Sequence, residues 1–255
     1  MSSTVAFEVV EGTAVVTLNR PESRNAIDKA TADAIAAALD EVDQRTDIAV
    51  CVLAAVGDVF SAGMDLKAFS ATGERPLTKD RGAFGIVTRP PTKPIIAAVE
   101  GKALGGGFEL ALVCDLIVAS DNAQFGLPEV KRGLVAAAGG VLRLPRKLPS
   151  AIAMELALTG EPIGADRAAA LGLVNRVVPA GDALNTALAM ASTIAKNAPI
   201  AVRTAKLLID RSTEWNLSEA FVNQAPYTDA VRNSNDAAEG ARAFVEKRAP
   251  AWTNT

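Results

Sequence analysis

The sequence predicts an α/β fold in which strand–strand–helix units repeat and a helical C-terminal region follows. Three observations carry this prediction. β-Branched and apolar runs of strand length alternate with helical patterns up to about residue 120. Nearly every pattern after Pro149 is helical. The hydrophobic fraction of 49% and the charged fraction of 22% are those of a globular protein with a sizeable core.

The chain starts with a predicted β-hairpin and an amphipathic helix. Val5–Val10 and Thr13–Leu18 are rich in β-branched residues and are joined through the turn-forming pair at 11–12. Apolar residues then recur at helical spacing over residues 28–42, and Asp28 is the predicted N-cap of that helix.

The middle of the chain predicts three buried strands around a glycine-rich turn. Residues 48–54 form a continuous apolar run, which is typical of a strand buried on both faces. Residues 57–94 predict a loop, a short helix and a second loop. Strands are predicted at 94–99 and 116–119, with a glycine-rich turn and a helix between them.

The C-terminal part is predicted to be mostly helical, with one strand at 173–178. No internal repeat of fixed period and no flexible linker separates it from the first part, so the two parts are expected to pack as one unit. The predicted helices lie at 151–158, 165–171, 183–196, 200–209 and 237–247.

The charge balance and the start of the chain exclude several classes of partner. Lys plus Arg number 26 and Asp plus Glu 29, which gives a net charge of −3. This balance argues against nucleic acid or an anionic membrane as the main partner. The first residues lack the basic and apolar segments of a secretory signal, and no apolar run reaches the length of a membrane span. We therefore expect a cytoplasmic protein.

The sequence contains no histidine. A Ser-His-Asp or Cys-His mechanism is therefore excluded, and the commonest ligand for zinc or iron is missing. Acid–base chemistry near neutral pH is left to carboxylates, lysines, the lone Tyr227, cysteine or water. Cys51 and Cys114 both lie in apolar runs, which predicts buried structural thiols rather than a disulfide framework.

Three glycines, at positions 105–107, directly precede the helix between the two middle strands. Glycine allows close approach to the backbone, and the first N–H groups of a helix are free to bind a developing oxyanion. A tight packing turn is the alternative explanation. The segment FSAGMDLK, at 60–67, could supply a second backbone donor. Ser61 within it lies outside a nucleophile elbow and has no histidine to activate it.

Two glutamates lie in segments that flank a buried strand. Glu109 is in the first turn of the helix after the glycines, and Glu129 follows Gly126 and Pro128 in a predicted loop. A capping role for Glu109 and a solvated position for Glu129 are the simpler explanations. If the two carboxylates face each other, their pKa values separate, so that one is an acid while the other is a base.

Taken together, these segments resemble the crotonase superfamily of enoyl-CoA hydratases and isomerases. The resemblance implies a ClpP/crotonase-type spiral of ββα units over residues 1–195, and a helical trimerisation region over 196–255 that gives a homotrimer or a dimer of trimers. The matching motifs are, in chain order, NRPE (19–22) with RNA (24–26), FSAGMDLK (60–67), KPIIAAVEGKALGGGFELALVCDLIVAS (93–120), AQFGLPEV (123–130), GGVLRLPR (139–146), LTGEPI (158–163) and GLVNRVVP (172–179).

The resemblance also implies roles for individual residues. The two oxyanion donors are the backbone N–H groups of Met64 and Gly106, and the two hydratase glutamates are Glu109 and Glu129. Coenzyme A enters as part of an acyl-CoA substrate, and no metal or redox cofactor is implied. The residues expected to contact coenzyme A are Arg24, Ala26, Ala62, Asp65, Leu66 and Lys67, together with Phe244 and Lys247, which are expected to reach a neighbouring subunit's coenzyme.

Both hydratase glutamates are present, which favours reversible syn hydration of a 2-enoyl-CoA. A Δ3,Δ2-enoyl-CoA isomerase using Glu129 alone and a non-catalytic acyl-CoA-binding protein are the alternatives. The wording of three motifs is also similar to carnitinyl-CoA dehydratase. One departure concerns residues 133–140, GLVAAAGG, where alanines replace a proline and a glycine that many hydratases have. This change bears on the shape of the acyl pocket.

Overall fold

The computed structural model describes residues 4–255, and they form a main six-stranded sheet with a smaller sheet beside it. Residues 1–3 lie outside the described residues. They belong to the N-terminal segment in which no secretory signal is predicted. The main sheet has the order β1-β2-β3-β6-β8-β11, in which β1 is antiparallel to β2 and the other neighbours are parallel. Its strands are β1 (Val5–Val10), β2 (Thr13–Leu18), β3 (Val50–Ala55), β6 (Ile95–Val99), β8 (Leu116–Ser120) and β11 (Arg176–Val178).

The central strands are buried on both faces, as their continuous apolar runs predict. Successive side chains of a strand point to opposite faces, so Val52 and Ala54 of β3 pack in one cluster with Ala187. Ala187 belongs to α7 (Ala183–Ala195), which covers that face of the sheet. Cys51 and Leu53 point the other way, into the larger core that contains the candidate site.

A second strand layer runs beside the main sheet and makes the chain a spiral. Ser61 bridges Ala103, Ala103 pairs with Phe125, and Phe125 pairs with Ile163. Ser61, Ala103 and Phe125 each follow a strand of the main sheet and precede a helical segment, so the ββα unit repeats. This layer contains β7 (Lys102–Leu104), β9 (Gln124–Gly126) and β10 (Ile163–Gly164).

The predicted N-terminal hairpin and first helix are confirmed. The Asp28 side chain accepts the Thr31 N–H over 2.8 Å and so caps α1, as predicted. Among residues 4–255 the helices are α1 (Lys29–Gln44), α2 (Leu66–Thr72), α3 (Gly106–Val113), α4 (Gly140–Lys147), α5 (Ser150–Thr159), α6 (Ala165–Ala170), α7 (Ala183–Ala195), α8 (Pro199–Ser212), α9 (Leu217–Arg232) and α10 (Asn235–Glu246).

The structure differs from the sequence prediction at several elements. Helices α4 and α9 are not predicted, because each contains a proline, Pro145 or Pro226. The segment 57–94 contains, besides the short helix α2, a small hairpin of β4 (Leu77–Thr78) and β5 (Gly82–Ala83). The strand predicted at 173–178 is limited to its last three residues. Both cysteines are buried and free.

The boundary between core and C-terminal region stays a prediction. Helix α7 ends at Ala195, against the main sheet, and α8 begins at Pro199. None of the helices described in residues 4–255 is long and apolar enough to cross a membrane.

Candidate active site

The candidate site begins where the loop after β3 meets the start of α3. A Cβ built on Gly63 would lie 2.6 Å from the Gly106 nitrogen, so the two backbones are in direct contact. The Met64 N–H follows Gly63, and the Gly106 N–H opens α3. Neither of these N–H groups donates to an acceptor within residues 4–255. Two backbone donors without a protein acceptor therefore lie near each other at this point.

The glycine triplet at 105–107 is needed for packing and also leaves a backbone N–H free, the two explanations that the sequence leaves open. Gly105 has φ +55°, which favours glycine, and it starts the helix without a side-chain cap. A Cβ on Gly107 would lie only 2.0 Å from the Ser61 carbonyl oxygen, so close packing requires glycine there. The same packing brings the free N–H of Gly106 beside the 60–65 loop. The triplet is thus a tight packing turn that also presents a donor.

Ser61 has a structural function in this loop. Its buried hydroxyl donates to the Asn25 carbonyl oxygen over 2.8 Å and accepts the Gly63 N–H over 3.1 Å. Because both bonds hold the loop in shape, the hydroxyl is not free to act as a nucleophile. Backbone donation is the contribution that the sequence predicts from this segment.

Glu109 lies one turn into α3, and its side chain is held inside the protein. It is 3% exposed, and its Oε1 accepts the backbone N–H of Gly140 over 2.8 Å. Burial, reinforced by the negative charge of Glu129, raises the pKa of Glu109 to about 7. The carboxyl group can therefore exchange a proton near neutral pH.

Glu129 lies on a short 3-10 helix, Pro128–Arg132, rather than in a solvated loop. Its Oε2 is buried and has no hydrogen-bond partner among residues 4–255. Its Oε1 lies 3.0 Å from the position a Cβ on Gly105 would take, so the carboxyl group stands beside the start of α3. Burial raises the pKa of Glu129 as well.

Both glutamates and both backbone donors line one cleft of about 1340 Å³. Both carboxyl groups belong to this one cleft, and the negative charge of Glu129 contributes to the raised pKa of Glu109. Six of the eight residues predicted to contact coenzyme A also line this cleft: Arg24, Ala26, Ala62, Asp65, Leu66 and Lys67. Their contacts with coenzyme A stay predictions.

The carboxylate of Asp65 is already occupied within the protein. Its Oδ1 accepts the N–H groups of Lys67 and Ala68 and caps α2, and its Oδ2 pairs with Arg20 at 3.0 Å. The N–H of Ala68 and the pairing with Arg20 outweigh the effect of burial and hold the pKa of Asp65 below its usual range. Any contact of this residue with coenzyme A therefore falls to its other atoms.

The structure does not bring Phe244 and Lys247 to this cleft. Phe244 lies near the end of α10, where it is 85% exposed, and Lys247 follows the helix. Neither residue lines the cleft within the same chain. Their predicted role, which involves a neighbouring subunit, stays a prediction.

Several residues that line the cleft or hold the glutamates are not predicted from the sequence. The ring of Phe84 lies 2.4 Å from the position a Cβ on Gly106 would occupy, and its backbone has φ +55°. Arg132 lines the cleft after Glu129. The other residues of this kind lie in the GLVAAAGG segment, whose departure from the usual sequence is the one feature that points to them. Its residues that line the cleft are Leu134, Val135, Ala137 and Ala138, and its Gly140 donates to Glu109.

Comparisons with known proteins agree with this geometry. A family model described as enoyl-CoA hydratase/isomerase matches residues 8–255. The chain is similar to enoyl-CoA hydratase EchA19 of Mycobacterium tuberculosis, with 41% identity over 249 residues that cover 95% of this chain and 93% of that protein. It is similar to the carnitinyl-CoA dehydratase of Salmonella typhi, with 41% identity over 245 residues that cover 93% of each.

A solved structure extends the similarity to the whole chain. The crystal structure of enoyl-CoA hydratase EchA1 from Mycobacterium marinum matches with a TM-score of 0.97 and 49% identity, and the match covers 100% of both chains. The predicted α/β spiral and the predicted resemblance are both confirmed. This chain belongs to the enoyl-CoA hydratase/isomerase family of the crotonase superfamily.

Proposed function

We propose that this protein is an enoyl-CoA hydratase that adds water reversibly and syn to a 2-enoyl-CoA thioester. The observation that carries the proposal is the meeting of two buried carboxyl groups and two free backbone N–H groups in one cleft. The named relatives, which are hydratases over nearly the full chain length, support the same activity.

In the proposed reaction the thioester carbonyl oxygen accepts the N–H groups of Met64 and Gly106. Both donors are fixed before substrate binds, because their loops are packed backbone to backbone. As the β-carbon is attacked, negative charge moves to the carbonyl oxygen and gives an enolate. A preorganised donor of this kind typically lowers the barrier by about 3 kcal/mol.

The two glutamates supply and accept the protons. Glu109, as the carboxylate, takes a proton from the water whose oxygen bonds to the β-carbon. Glu129, as the acid, delivers a proton to the α-carbon of the enolate, so the product gains one water in all. Burial raises the pKa of both carboxyl groups, to about 7 for Glu109, so Glu109 can exchange a proton near neutral pH.

The rest of the cleft fits an acyl-CoA. Arg24, Lys67, Arg75 and Arg132 line it and suit the phosphates of coenzyme A, which enters with the substrate. The proposed chemistry needs no metal or redox cofactor. We further propose a cytoplasmic homotrimer or dimer of trimers, in which Phe244 and Lys247 reach a neighbour's coenzyme.

The acyl end of the cleft favours an apolar acyl group. Alkyl side chains of Leu134, Val135, Ala137 and Ala138 line the cleft beside the segment that binds Glu109. A trimethylammonium group, as in carnitinyl-CoA, is usually bound by aromatic faces. The aromatic residues that line this cleft are Phe69 and Phe84. Carnitinyl-CoA dehydration is therefore the second candidate activity, supported by the relatives of that name.

The test is turnover of crotonyl-CoA, longer enoyl-CoAs and crotonobetainyl-CoA by the purified protein. Loss of the enoyl-thioester absorbance and a product mass increased by one water are expected, with apolar acyl groups turned over most efficiently. A mixture of alkene isomers with no gain in mass would instead identify an isomerase. Tight binding without turnover of any substrate would identify a binding protein, and either result would refute the proposal.

A further inference from the structure

The orientation of Glu109 depends on the first residue of another helix. Its Oε1 accepts the N–H of Gly140, with which α4 begins. A Cβ on Gly140 would lie 3.1 Å from both Cγ and Oε1 of Glu109, so the Gly140 backbone packs directly against the Glu109 side chain. Any shift of the first turn of α4 would therefore move or release Glu109.

Arg143, on the same helix, holds that first turn in place. Its Nη2 donates to the Val87 carbonyl oxygen over 2.6 Å. Its Nη1 lies 2.2 Å from the position a Cβ on Gly139 would take, so the side chain folds back over the start of α4. The guanidinium thus links the residues before Gly140 to the segment that contains Val87.

The segment 81–87 is itself firmly anchored to α1. The fully buried guanidinium of Arg81 pairs with Asp40 and Asp43, each at 2.8 Å. A Cβ on Gly85 would lie 2.1 Å from the Ala32 carbonyl oxygen, so the segment also packs tightly on the α1 backbone. The Arg143–Val87 bond therefore connects α4 to a fixed support.

Arg143 also places a positive charge near Glu109. The charged groups that act on Glu109 are Glu129, on the 3-10 helix, and Arg143 itself. Those that act on Arg143 are Glu109, Arg146 on its own helix and Asp210 on α8. Within residues 4–255 no carboxylate lies within ion-pair distance of Arg143. Its charge is therefore not neutralised by a direct partner and acts on the candidate site.

We propose that Arg143 is a positioning residue for Glu109: its bond to Val87 fixes the first turn of α4, and its charge favours the carboxylate form of Glu109. The catalytic consequence rests on the proposed hydratase function. The structural consequence does not, because it concerns only the orientation and ionisation of one side chain.

The experiment compares Arg143→Met with Arg146→Met, a matched control. Arg146 lies on the same helix, carries the same charge, is exposed and makes no ion pair among the described residues. For Arg143→Met we expect kcat to fall about tenfold or more, while KM changes far less. The acidic limb of the pH profile should move to higher pH, because the carboxylate form of Glu109 loses a favourable charge. Arg146→Met should leave both unchanged.

Arg143→Lys separates the two parts of the proposal. The lysine keeps the positive charge but lacks the planar guanidinium that reaches Val87, so the position of the pH limb should be retained while kcat stays reduced. A pH profile of Arg143→Met that superimposes on that of the original protein would overturn the proposal. An equal shift in Arg146→Met would overturn it too.

A second readout does not depend on turnover. The Glu109 carboxyl resonance, assigned by its loss in Glu109→Gln, is titrated by NMR in protein labelled with ¹³C at glutamate carboxyl carbons. Its midpoint should rise in Arg143→Met and not in Arg146→Met. If the protein hydrates no enoyl-CoA but this midpoint moves, the hydratase function fails and the positioning role stands. An unmoved midpoint refutes the positioning role, whatever the activity.

Discussion

At the scale of single residues, the candidate site consists of two carboxyl groups whose surroundings oppose their ionisation. Glu109 is buried and accepts one backbone N–H, whereas the buried Oε2 of Glu129 has no partner among residues 4–255. Leaving a polar atom buried and unpaired costs free energy. The arrangement is explained if the unpaired oxygen serves the substrate or the attacking water.

Replacing either glutamate by glutamine should lower turnover strongly. Glu109→Gln removes the proposed base and Glu129→Gln the proposed acid, while the shape and polarity of each side chain are nearly kept. Each change should reduce kcat by about 10²- to 10⁴-fold, with little change in the dissociation constant of an acyl-CoA product. Steady-state kinetics and calorimetric titration measure the two quantities. Near-normal turnover of either variant would show that its assigned role is wrong.

The pKa of Glu109 also predicts a pH dependence of stability. The folded protein holds this proton up to about pH 7, whereas the unfolded chain loses it near pH 4.5. The folded state therefore binds more protons in this window, and the free energy of unfolding falls as pH rises through it. Glu109→Gln removes this loss, so at pH 8 it should stabilise the protein by on the order of 2 to 4 kcal/mol, with no gain near pH 4.

Denaturant unfolding at the two pH values measures this effect. The matched control is Glu74→Gln, because Glu74 is exposed. The raised pKa would be contradicted if both substitutions changed the free energy of unfolding equally. It would also be contradicted if the gain in stability from Glu109→Gln were no larger at pH 8 than at pH 4.

The catalytic candidates could be predicted from the sequence, but the residues that hold them could not. Glu109 and Gly106 stand in a local pattern of glycines, a helix start and a carboxylate, and that pattern is readable in one segment. Gly140 contacts Glu109, and the charge of Arg143 acts on it, from more than thirty sequence positions away. No local periodicity or spacing encodes such a contact, so the structure is needed to find it.

At the scale of elements, the start of α3 depends on glycine at one position for packing. A Cβ on Gly107 would lie 2.0 Å from the oxygen and 2.6 Å from the carbon of the Ser61 carbonyl group. Both are backbone atoms of a buried loop, so they cannot move without displacing Gly63 and Met64. Gly107→Ala should therefore destabilise the protein by about 3 kcal/mol or more and reduce turnover.

Gly164→Ala is the control for this prediction. Gly164 has φ −77°, and a Cβ there would meet nothing within 4 Å, so alanine should fit without strain. Thermal unfolding and kinetics of both variants decide the question. A Gly107→Ala protein as stable and active as Gly164→Ala would show that the α3 start is not packed as described.

Helices and strands differ in how well their sequence predicts them. The hairpin, α1 and the buried strands have strong periodicity or continuous apolar runs, and all are found. Helices α4 and α9 are not predicted from the sequence, because each contains a proline. The strands of the second layer are not predicted either, because they are only two or three residues long. Such short strands are stabilised by pairing with distant segments rather than by their own sequence pattern.

At the scale of the whole molecule, the helices after the core present an apolar surface. Phe221 and Val222 of α9 are 69% and 73% exposed, and Phe244 and Val245 of α10 are exposed as well. The two helices contact each other, and large apolar side chains left exposed on neighbouring helices are typical of an interaction site. The surface lies in the region that the sequence predicts for trimer assembly.

Light scattering coupled to size-exclusion chromatography should therefore give a mass three or six times 26.3 kDa. Phe221→Glu combined with Val222→Glu should lower this mass, because charges would be buried in the contact. Ala180→Glu, on an exposed turn, is the control and should leave the mass unchanged. A single-chain mass for the original protein would contradict the predicted assembly.

The architecture and the family could be predicted at this scale because many motifs occur in the right order along the chain. No single segment encodes the convergence of Met64, Gly106 and the two glutamates on one cleft, since these groups come from three separate units of the spiral. The spiral brings them together because each unit places its second strand beside the previous one.

The most direct test of the central claim is the product formed from crotonyl-CoA in ¹⁸O-labelled water, analysed by mass spectrometry. If the paired glutamates activate water in this cleft, the original protein gives a 3-hydroxyacyl-CoA that carries one labelled oxygen, and the Glu109→Gln and Glu129→Gln proteins give almost none. Unchanged or isomerised substrate from the original protein, or labelled product in equal yield from the variants, would contradict the account.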